Sequence, residues 1–283
     1  MIPKIVWSYW DQTSDVKKWP YFYQVCYESW RRHLPEPKWS IHILSADNLD
    51  EFISRRSLPK NFDDLLVQRK SDCVRLALLK KYGGVWLDTG ILLQKSLDWV
   101  IDLGVENVGY YNQESSTTGD NTVVENWFLA SSPDNYIIRR WHKTFKKALD
   151  KYTERDLHTC PIITETDCQK IGKCTYLFMH IVYQHLLQTD PTFREKHDES
   201  HLQCAQTTGF CVQTYLKWDF AKVNLYLFLY LASGRRHTKK LFSDQPLLKW
   251  TGDNVLLLNL ATVEVGSKFD LLANQLKRIG ILS

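Results

Sequence analysis

The sequence predicts an α/β protein, and three observations carry that prediction. An apolar strand pattern at residues 3–10 is followed by helical spacing at 21–33 and a second strand pattern at 39–44. Further on, the stretch KYGGVWLDTGILL (residues 81–93) turns a helix directly into a short apolar strand that ends on Asp88. A fourth strand pattern, at residues 126–130, breaks at Ser131-Ser132-Pro133 and gives way to an amphipathic helix. Alternation of this kind favours a sheet flanked by helices, with ligands taken at the ends of the strands.

The elements follow in order. Pro3-Lys4-Ile5-Val6-Trp7-Ser8-Tyr9-Trp10 reads as a buried strand running into the polar loop at residues 11–15. Phe22, Val25, Cys26 and Trp30 recur at helical spacing, and the helix stops before Pro35. Residues 39–44 alternate as a strand, and 46–54 read as a helix. Ser71-Asp72 offers a cap for a helix carrying Val74, Leu76, Ala77, Leu78 and Leu79, which Gly83 stops. Residues 114–120, ESSTTGD, suit a loop. Helices are expected at 134–152 and 176–187, and the charged segment 190–200 is expected to be solvated. No repeat, low-complexity tract or linker divides residues 1–283, so one domain is expected.

Composition narrows the class. With 283 residues, 44% apolar and 24% charged, the chain has the balance of an ordinary folded protein and can bury a large core. A formal net charge of +4 suits an anionic small ligand and does not argue for nucleic acid. Eleven Trp, 14 Tyr and 12 Phe supply either a core of large residues or platforms for sugar rings and bases. No secretory signal or spanning segment is visible, and the seven cysteines lack C-x2-C spacing. The expectation is a cytoplasmic protein with free thiols and no structural zinc.

Geometry makes Asp88 informative. A helix of about ten residues advances ~15 Å, and a strand of four returns ~13 Å. Asp88 is therefore expected back at the level of Asp72, with Arg75 on the same helix face three residues on. Two acids, an arginine and a helix N-terminus would converge, a setting that favours phosphate.

The residues Ile2-Pro3-Lys4-Ile5-Val6-Trp7-Ser8-Tyr9-Trp10, and then Ser71-Asp72-x-x-Arg75-Leu76-x-Leu78-Leu79-x-x-Tyr82-Gly83-Gly84-Val85-Trp86-Leu87-Asp88, resemble the capsular polysaccharide synthesis glycosyltransferases. These belong with the DXD-region sugar-binding enzymes of glycosyltransferase family 32. Residues 127–131, the helix bearing His180 and the segment His237-x-Lys239-Lys240-Leu241 are similar to later parts of that family. The resemblance implies a GT-A type nucleotide-diphospho-sugar transferase fold, Rossmann-like, with a mixed sheet flanked by helices. It also implies a nucleotide-sugar donor (a UDP-sugar favoured), a glycan or polysaccharide acceptor, and Mn²⁺ or Mg²⁺. The chain departs from the fuller motif at Gly90, where a second acid is expected. A hard cation bound to a diphosphate needs few protein ligands, because phosphate oxygens and waters fill most of its sites.

On that resemblance Asp88 is the metal or diphosphate contact, against an acid that merely ends a strand. Asp72 faces the donor, against a simple cap. Arg75 neutralises phosphate or orients Asp88, against a surface ion pair. Tyr9 and Trp10 stack on the nucleobase, against a core aromatic, the reading that Trp7 takes. His237 completes the metal shell and Lys239 and Lys240 meet the diphosphate, against an ordinary basic loop. Asn126 and Glu125 face the acceptor or the transferred sugar, against polar residues at a strand start. His180 reads as a core histidine.

The leading expectation is a metal-assisted glycosyltransferase. The alternative is a catalytically inactive nucleotide-sugar or glycan-binding protein, with Gly90 as the mark of lost catalysis. Nucleic acid is not an expected partner. Peripheral membrane contact stays open because glycan acceptors are often lipid-linked, and oligomeric state is not legible.

Overall fold

Strand β1 (Ile5–Tyr9) forms where the sequence places four consecutive buried residues after Ile5. Helix α1 (Tyr21–His33) has the predicted bounds, and β2 (Ser40–Leu44) follows it. The helix expected over 46–54 is shorter: α2 spans Leu49–Phe52. The reason is local. Asn48 donates to the Ile43 carbonyl at 3.0 Å and accepts from the Ser45 amide at 2.8 Å, which holds residues 45–48 in a turn.

Next come α3 (Val67–Tyr82), β3 (Gly84–Leu87), β4 (Ile91–Leu93), α4 (Asp98–Asp102), β5 (Asn107–Asn112) and β6 (Val123–Ser131). They are followed by α5 (Tyr136–Leu149), α6 (Pro161–Thr164), α7 (Phe178–Thr189), α8 (Pro191–Asp198), β7 (His201–Cys204), α9 (Cys211–Tyr215) and β8 (Leu247–Lys249). The structure is a computed structural model and describes residues 1–117, 121–219, 222–223 and 244–250. Among the described residues no helix is long and apolar enough to cross a membrane.

Two compact units make up the chain, each discontinuous in sequence. The first comprises Met1–Ser14, Leu34–Thr89 and Leu97–Ala205. It contains a six-stranded sheet in the order β2-β1-β3-β6-β5-β7. The β2/β1, β1/β3 and β5/β7 pairs are parallel, whereas β6 runs antiparallel to both β3 and β5. This is the α/β mixed sheet flanked by helices that the sequence predicts. Helix α3 packs on β1, β3 and α5, and α7 packs on β6, α5 and α8. Trp7, Leu76, Leu79, Trp86, Trp141 and Phe178 belong to one buried cluster in this unit. Trp7 is core, as its spacing predicts, and its indole donates to the Gly83 carbonyl at 2.8 Å.

The second unit comprises Asp15–His33, Gly90–Ser96 and Gln206–Ser283. In it β4 pairs antiparallel with β8, and the buried Trp30 of α1 donates its indole proton to the Ile91 carbonyl at 2.7 Å. Because the units interleave along the chain, no linker marks them in the sequence.

The predicted stop of α3 is observed. Gly83 and Gly84 take φ of +63° and +94°, and a Cβ on either would lie 2.6 Å from backbone atoms, Pro133 N for Gly83 and Ile5 O for Gly84. Only glycine combines that turn with that approach. The segment expected to be solvated at 190–200 is instead helix α8, whose Phe193 and His197 are buried. Its charged residues cover one face and mask the two that anchor it.

Candidate active site

The site is built at the end of β3, where α3 and the strand return to the same level. Arg75 is the joining group. Its Nη1 donates to Asp72 Oδ1 at 2.8 Å and its Nη2 to Asp88 Oδ1 at 2.9 Å. The predicted convergence of Asp72, Arg75 and Asp88 is therefore present. The predicted cap is not. Helix α3 begins at Val67, more than a full turn before Asp72. Gln68, Arg69 and Lys70 are good helix formers that carry the helix back past Ser71. Asp72 sits inside the helix and reaches arginines, not free backbone amides.

The surroundings fix these groups tightly. Trp86, two residues before Asp88 on the same side of β3, donates its indole proton to Asp88 Oδ1 at 2.8 Å. The Arg75 guanidinium lies over the Trp86 ring, 4.8 Å from its centroid, where the π face favours a cation. Asn126 of β6 donates to Asp72 Oδ1 at 3.1 Å. Arg69 approaches Asp72 Oδ2 at 3.6 Å, pairs with Glu154 at 3.2 Å and donates to the Thr175 carbonyl at 2.5 Å. Arg69, Asp72 and Arg75 are all buried, whereas the Asp88 side chain keeps 27% of its surface open. Asp88 is thus the member of the set that a ligand reaches first.

Electrostatics follow from that burial. Burial pushes the Asp72 carboxyl above its ordinary value, while Arg75 and Arg69 pull the other way. Removing these charges from water is costly, and the short paired geometry with the added Trp86 and Asn126 hydrogen bonds offsets that cost. Burial, then the positive charge of Arg75, lowers His180 of α7 to about 4, so its ring is neutral at pH 7.

Sequence reasoning missed Arg69, Glu154 and the Trp86 indole as members of the network. The signal for Arg69 was its spacing, three residues before Asp72 on one helix face. Glu154 comes from a loop far along the chain and gave no local sign. Tyr9 and Trp10 lie at the same sheet end as Asp88, since β1 and β3 are parallel with Trp7 opposite Trp86. Tyr9, however, is packed into the core, and its hydroxyl donates to Asp11. Trp10 is half-buried. His237, Lys239 and Lys240 lie outside the described residues.

Position 90 has a structural explanation within the second unit. A Cβ on Gly90 would lie 2.8 Å from the Trp250 carbonyl oxygen, and the Trp250 amide donates to the Gly90 carbonyl at 3.0 Å. Strand pairing thus leaves no room there for a second aspartate. Among the described residues no group of three His, Cys, Asp or Glu side chains is placed to hold a metal ion. The partly open Asp88 carboxylate is compatible with a cation carried largely by phosphate oxygens, and the described residues alone do not assemble a protein-built metal centre.

Comparison with known proteins places the chain in a family. The profile of the family described as capsular polysaccharide synthesis protein matches residues 1–160. That span holds β1, α3, β3, β6 and every member of the Asp72–Arg75–Asp88 set, and the chain belongs to this family. Among curated proteins, the glycosyltransferase afumC of Aspergillus fumigatus is 30% identical over 174 residues, covering 56% of this chain and 44% of the relative. The O-glycosyltransferase braB of Annulohypoxylon truncatum is 28% identical over 181 residues, covering 56% of this chain and 41% of the relative. The matched part thus spans less than half the length of these relatives. Among solved structures, the glycosyltransferase GlyE of Streptococcus pneumoniae aligns with a TM-score of 0.43 at 11% identity, over 89% of this chain and 55% of its own. An active-site mutant of LgtC aligns with a TM-score of 0.41 at 12% identity, over 88% of this chain and 87% of its own. Likeness at that level carries no weight on chemistry.

Proposed function

We propose that this chain is a GT-A type glycosyltransferase moving a sugar from a nucleotide-diphosphate donor, a UDP-sugar favoured, to a hydroxyl of a glycan acceptor. One observation carries the reading: Asp72, Arg75 and Asp88 are locked together at a strand end, with only Asp88 appreciably open. Family membership and glycosyltransferase relatives support it.

In this reading Asp88 meets the diphosphate end of the donor. A Mn²⁺ or Mg²⁺ ion would supply Lewis-acid stabilisation of the departing diphosphate, and Asp88 would be its contact in the described part of the chain. Arg75 and the Trp86 indole hold Asp88 Oδ1 in place, so no reorganisation is needed when charge develops. Asp72 is buried and accepts from Asn126, so the half-buried Asn126 is the member of that pair placed to meet a sugar hydroxyl. His237, Lys239 and Lys240 keep their proposed roles toward the metal and phosphate from the family resemblance alone. Seven free cysteines suit a reducing compartment such as the cytoplasm.

A second reading, a nucleotide-sugar-binding protein without turnover, is favoured by the closed position at Gly90. The two separate in one experiment. Wild type is incubated with a panel of nucleotide sugars and mixed glycan acceptors, with and without Mn²⁺. Donor binding is followed by calorimetry and nucleotide diphosphate release by a coupled assay. Transfer predicts release from one donor; binding with no release under any condition selects the second reading.

A further inference from the structure

The mechanism above leaves one strongly charged surface unused, the outer face of α5. This 14-residue helix carries Arg139, Arg140, Lys143, Lys146 and Lys147 and no acid. Its charge alone exceeds the formal +4 of the whole chain. The exposed residues of α5 are Arg139, Lys143 and Lys147. Spaced four apart, they rise ~6 Å and turn only ~40° from one to the next, which makes a single row. Lys151, also exposed, follows just past the helix. Part of the charge is answered locally: Arg139 pairs with Asp134 at 3.5 Å, Arg140 with Asp190 at 2.8 Å and Lys146 with Asp150 at 2.6 Å. Lys143, Lys147 and Lys151 enter no ion pair among the described residues, and Lys151 lies over the Tyr152 ring, 5.0 Å from its centroid.

This row runs toward the catalytic end of the sheet. Helix α5 starts beside the last turn of α3, where the Asp134 amide donates to the Lys80 carbonyl at 2.9 Å. Its later part lies beside the first turn of α3, where the Arg69 guanidinium stands 6.0 Å from the Phe145 ring centroid. At that end the surface changes character. Leu66 and Val67, at the start of α3, are exposed, and so is Tyr176. Tyr176 follows Thr175, whose carbonyl accepts from Arg69 at 2.5 Å. Three of the six large apolar side chains exposed among the described residues therefore border one arginine, which is a patch and not a scatter. A row of cations that ends in apolar tips suits a membrane surface. Ammonium groups are drawn to anionic head groups, and apolar side chains enter the head-group region. A soluble polyanion would engage the lysines and leave the apolar tips in water.

We propose that the α5 face, with Leu66, Val67 and Tyr176 at its end, is a docking surface for an anionic membrane leaflet. Docking in this way brings the catalytic end of the sheet to the leaflet. The acceptor class that fits is then a glycan carried on a membrane lipid. The docking surface stands on its own geometry, whereas the acceptor assignment rests on the glycosyltransferase reading.

The test sediments the full chain with two kinds of vesicle, phosphatidylcholine alone and phosphatidylcholine mixed with phosphatidylglycerol, with no donor present. Binding to the mixed vesicles is expected, and little to the neutral ones. It should weaken as salt rises from about 0.1 M to about 1 M, which shortens screening from ~10 Å to ~3 Å. Each lysine near such a surface strengthens binding by about fivefold, so Lys143→Glu with Lys147→Glu is expected to lose about 25-fold or more. Leu66→Ser with Tyr176→Ser is expected to weaken binding at low and high salt alike. The lysine variant should keep the wild-type melting temperature and its turnover of a water-soluble acceptor, and lose turnover of a glycolipid in mixed vesicles. Absence of binding to both vesicles, equal binding to the two, or full binding by the lysine variant would each overturn the surface. So would an oligonucleotide that binds with the same lysine dependence while Leu66→Ser with Tyr176→Ser changes nothing. Vesicle binding by a chain that turns over no donor keeps the docking surface and overturns the transferase reading; turnover without vesicle binding does the reverse.

Discussion

Arg75 Nη2 donates to Asp88 Oδ1 at 2.9 Å while the same guanidinium, through Nη1, holds Asp72 at 2.8 Å. A planar fork can serve two carboxylates at once, and an ammonium cannot. Arg75→Lys is therefore expected to stay folded and to lose about 100-fold or more in donor turnover. Arg75→Ala leaves two acids facing each other without their shared cation and is expected to lose about 3–5 kcal/mol of stability. Chemical denaturation beside the release assay checks both; a fully active lysine variant would remove Arg75 from the site.

The indole of Trp86 contributes one hydrogen bond to Asp88 and the ring under Arg75. Trp86→Phe keeps most of the buried volume and a π face but loses the N–H. The expected result is a modest stability loss, about 1–2 kcal/mol, with a larger fall in kcat than in donor affinity. An unchanged kcat would show that Asp88 needs no such orientation.

Gly90 is a packing requirement. With 2.8 Å between its Cβ position and the Trp250 carbonyl, Gly90→Ala is expected to cost about 1–3 kcal/mol and Gly90→Asp more. Restoring the fuller acid motif should thus lower the melting temperature without improving turnover. A stable, more active Gly90→Asp protein would contradict the fit described here.

Acid should unfold this protein early. Burial lowers His142, His180 and His197 to about 4 each. Their folded values lie below the unfolded value near 6.5, so between these limits the unfolded chain binds more protons. Stability is full above about pH 6.5 and is lost as pH falls toward 4, by up to about 1.4 kcal/mol per unit for each ring. Urea midpoints from pH 7 to 4.5 should fall steeply, and His197→Asn should lessen the slope. A flat profile in wild type would contradict the burial of these rings.

Local signals were the legible ones. Helix α1 ends as read because apolar spacing and Pro35 agree, and the meeting of Asp72 with Asp88 follows from helix rise, strand rise and a glycine reversal. The start of α3 was misread because Ser71-Asp72 has cap chemistry, while Leu66 and Val67, 57% and 49% exposed, carry no start signal. The β5/β6 register shift between Gly109 and Tyr111 depends on strand pairing and leaves no trace in residue order. The obstruction at Gly90 comes from Trp250, which β4–β8 pairing alone brings near. His180 reads as a core histidine from its apolar helix, and the structure buries it in α7.

The most direct measurement is nucleotide diphosphate release by Asp88→Asn beside wild type, each with the preferred donor, acceptor and Mn²⁺, after both are shown to be folded. Asparagine keeps the size of the side chain and an oxygen for Arg75 but removes the charge. The expected result is release by wild type and a loss of about 1000-fold or more in the variant. Equal release by the two proteins would contradict a role for Asp88 at the reacting diphosphate and, with it, the placement of the active site at the end of β3.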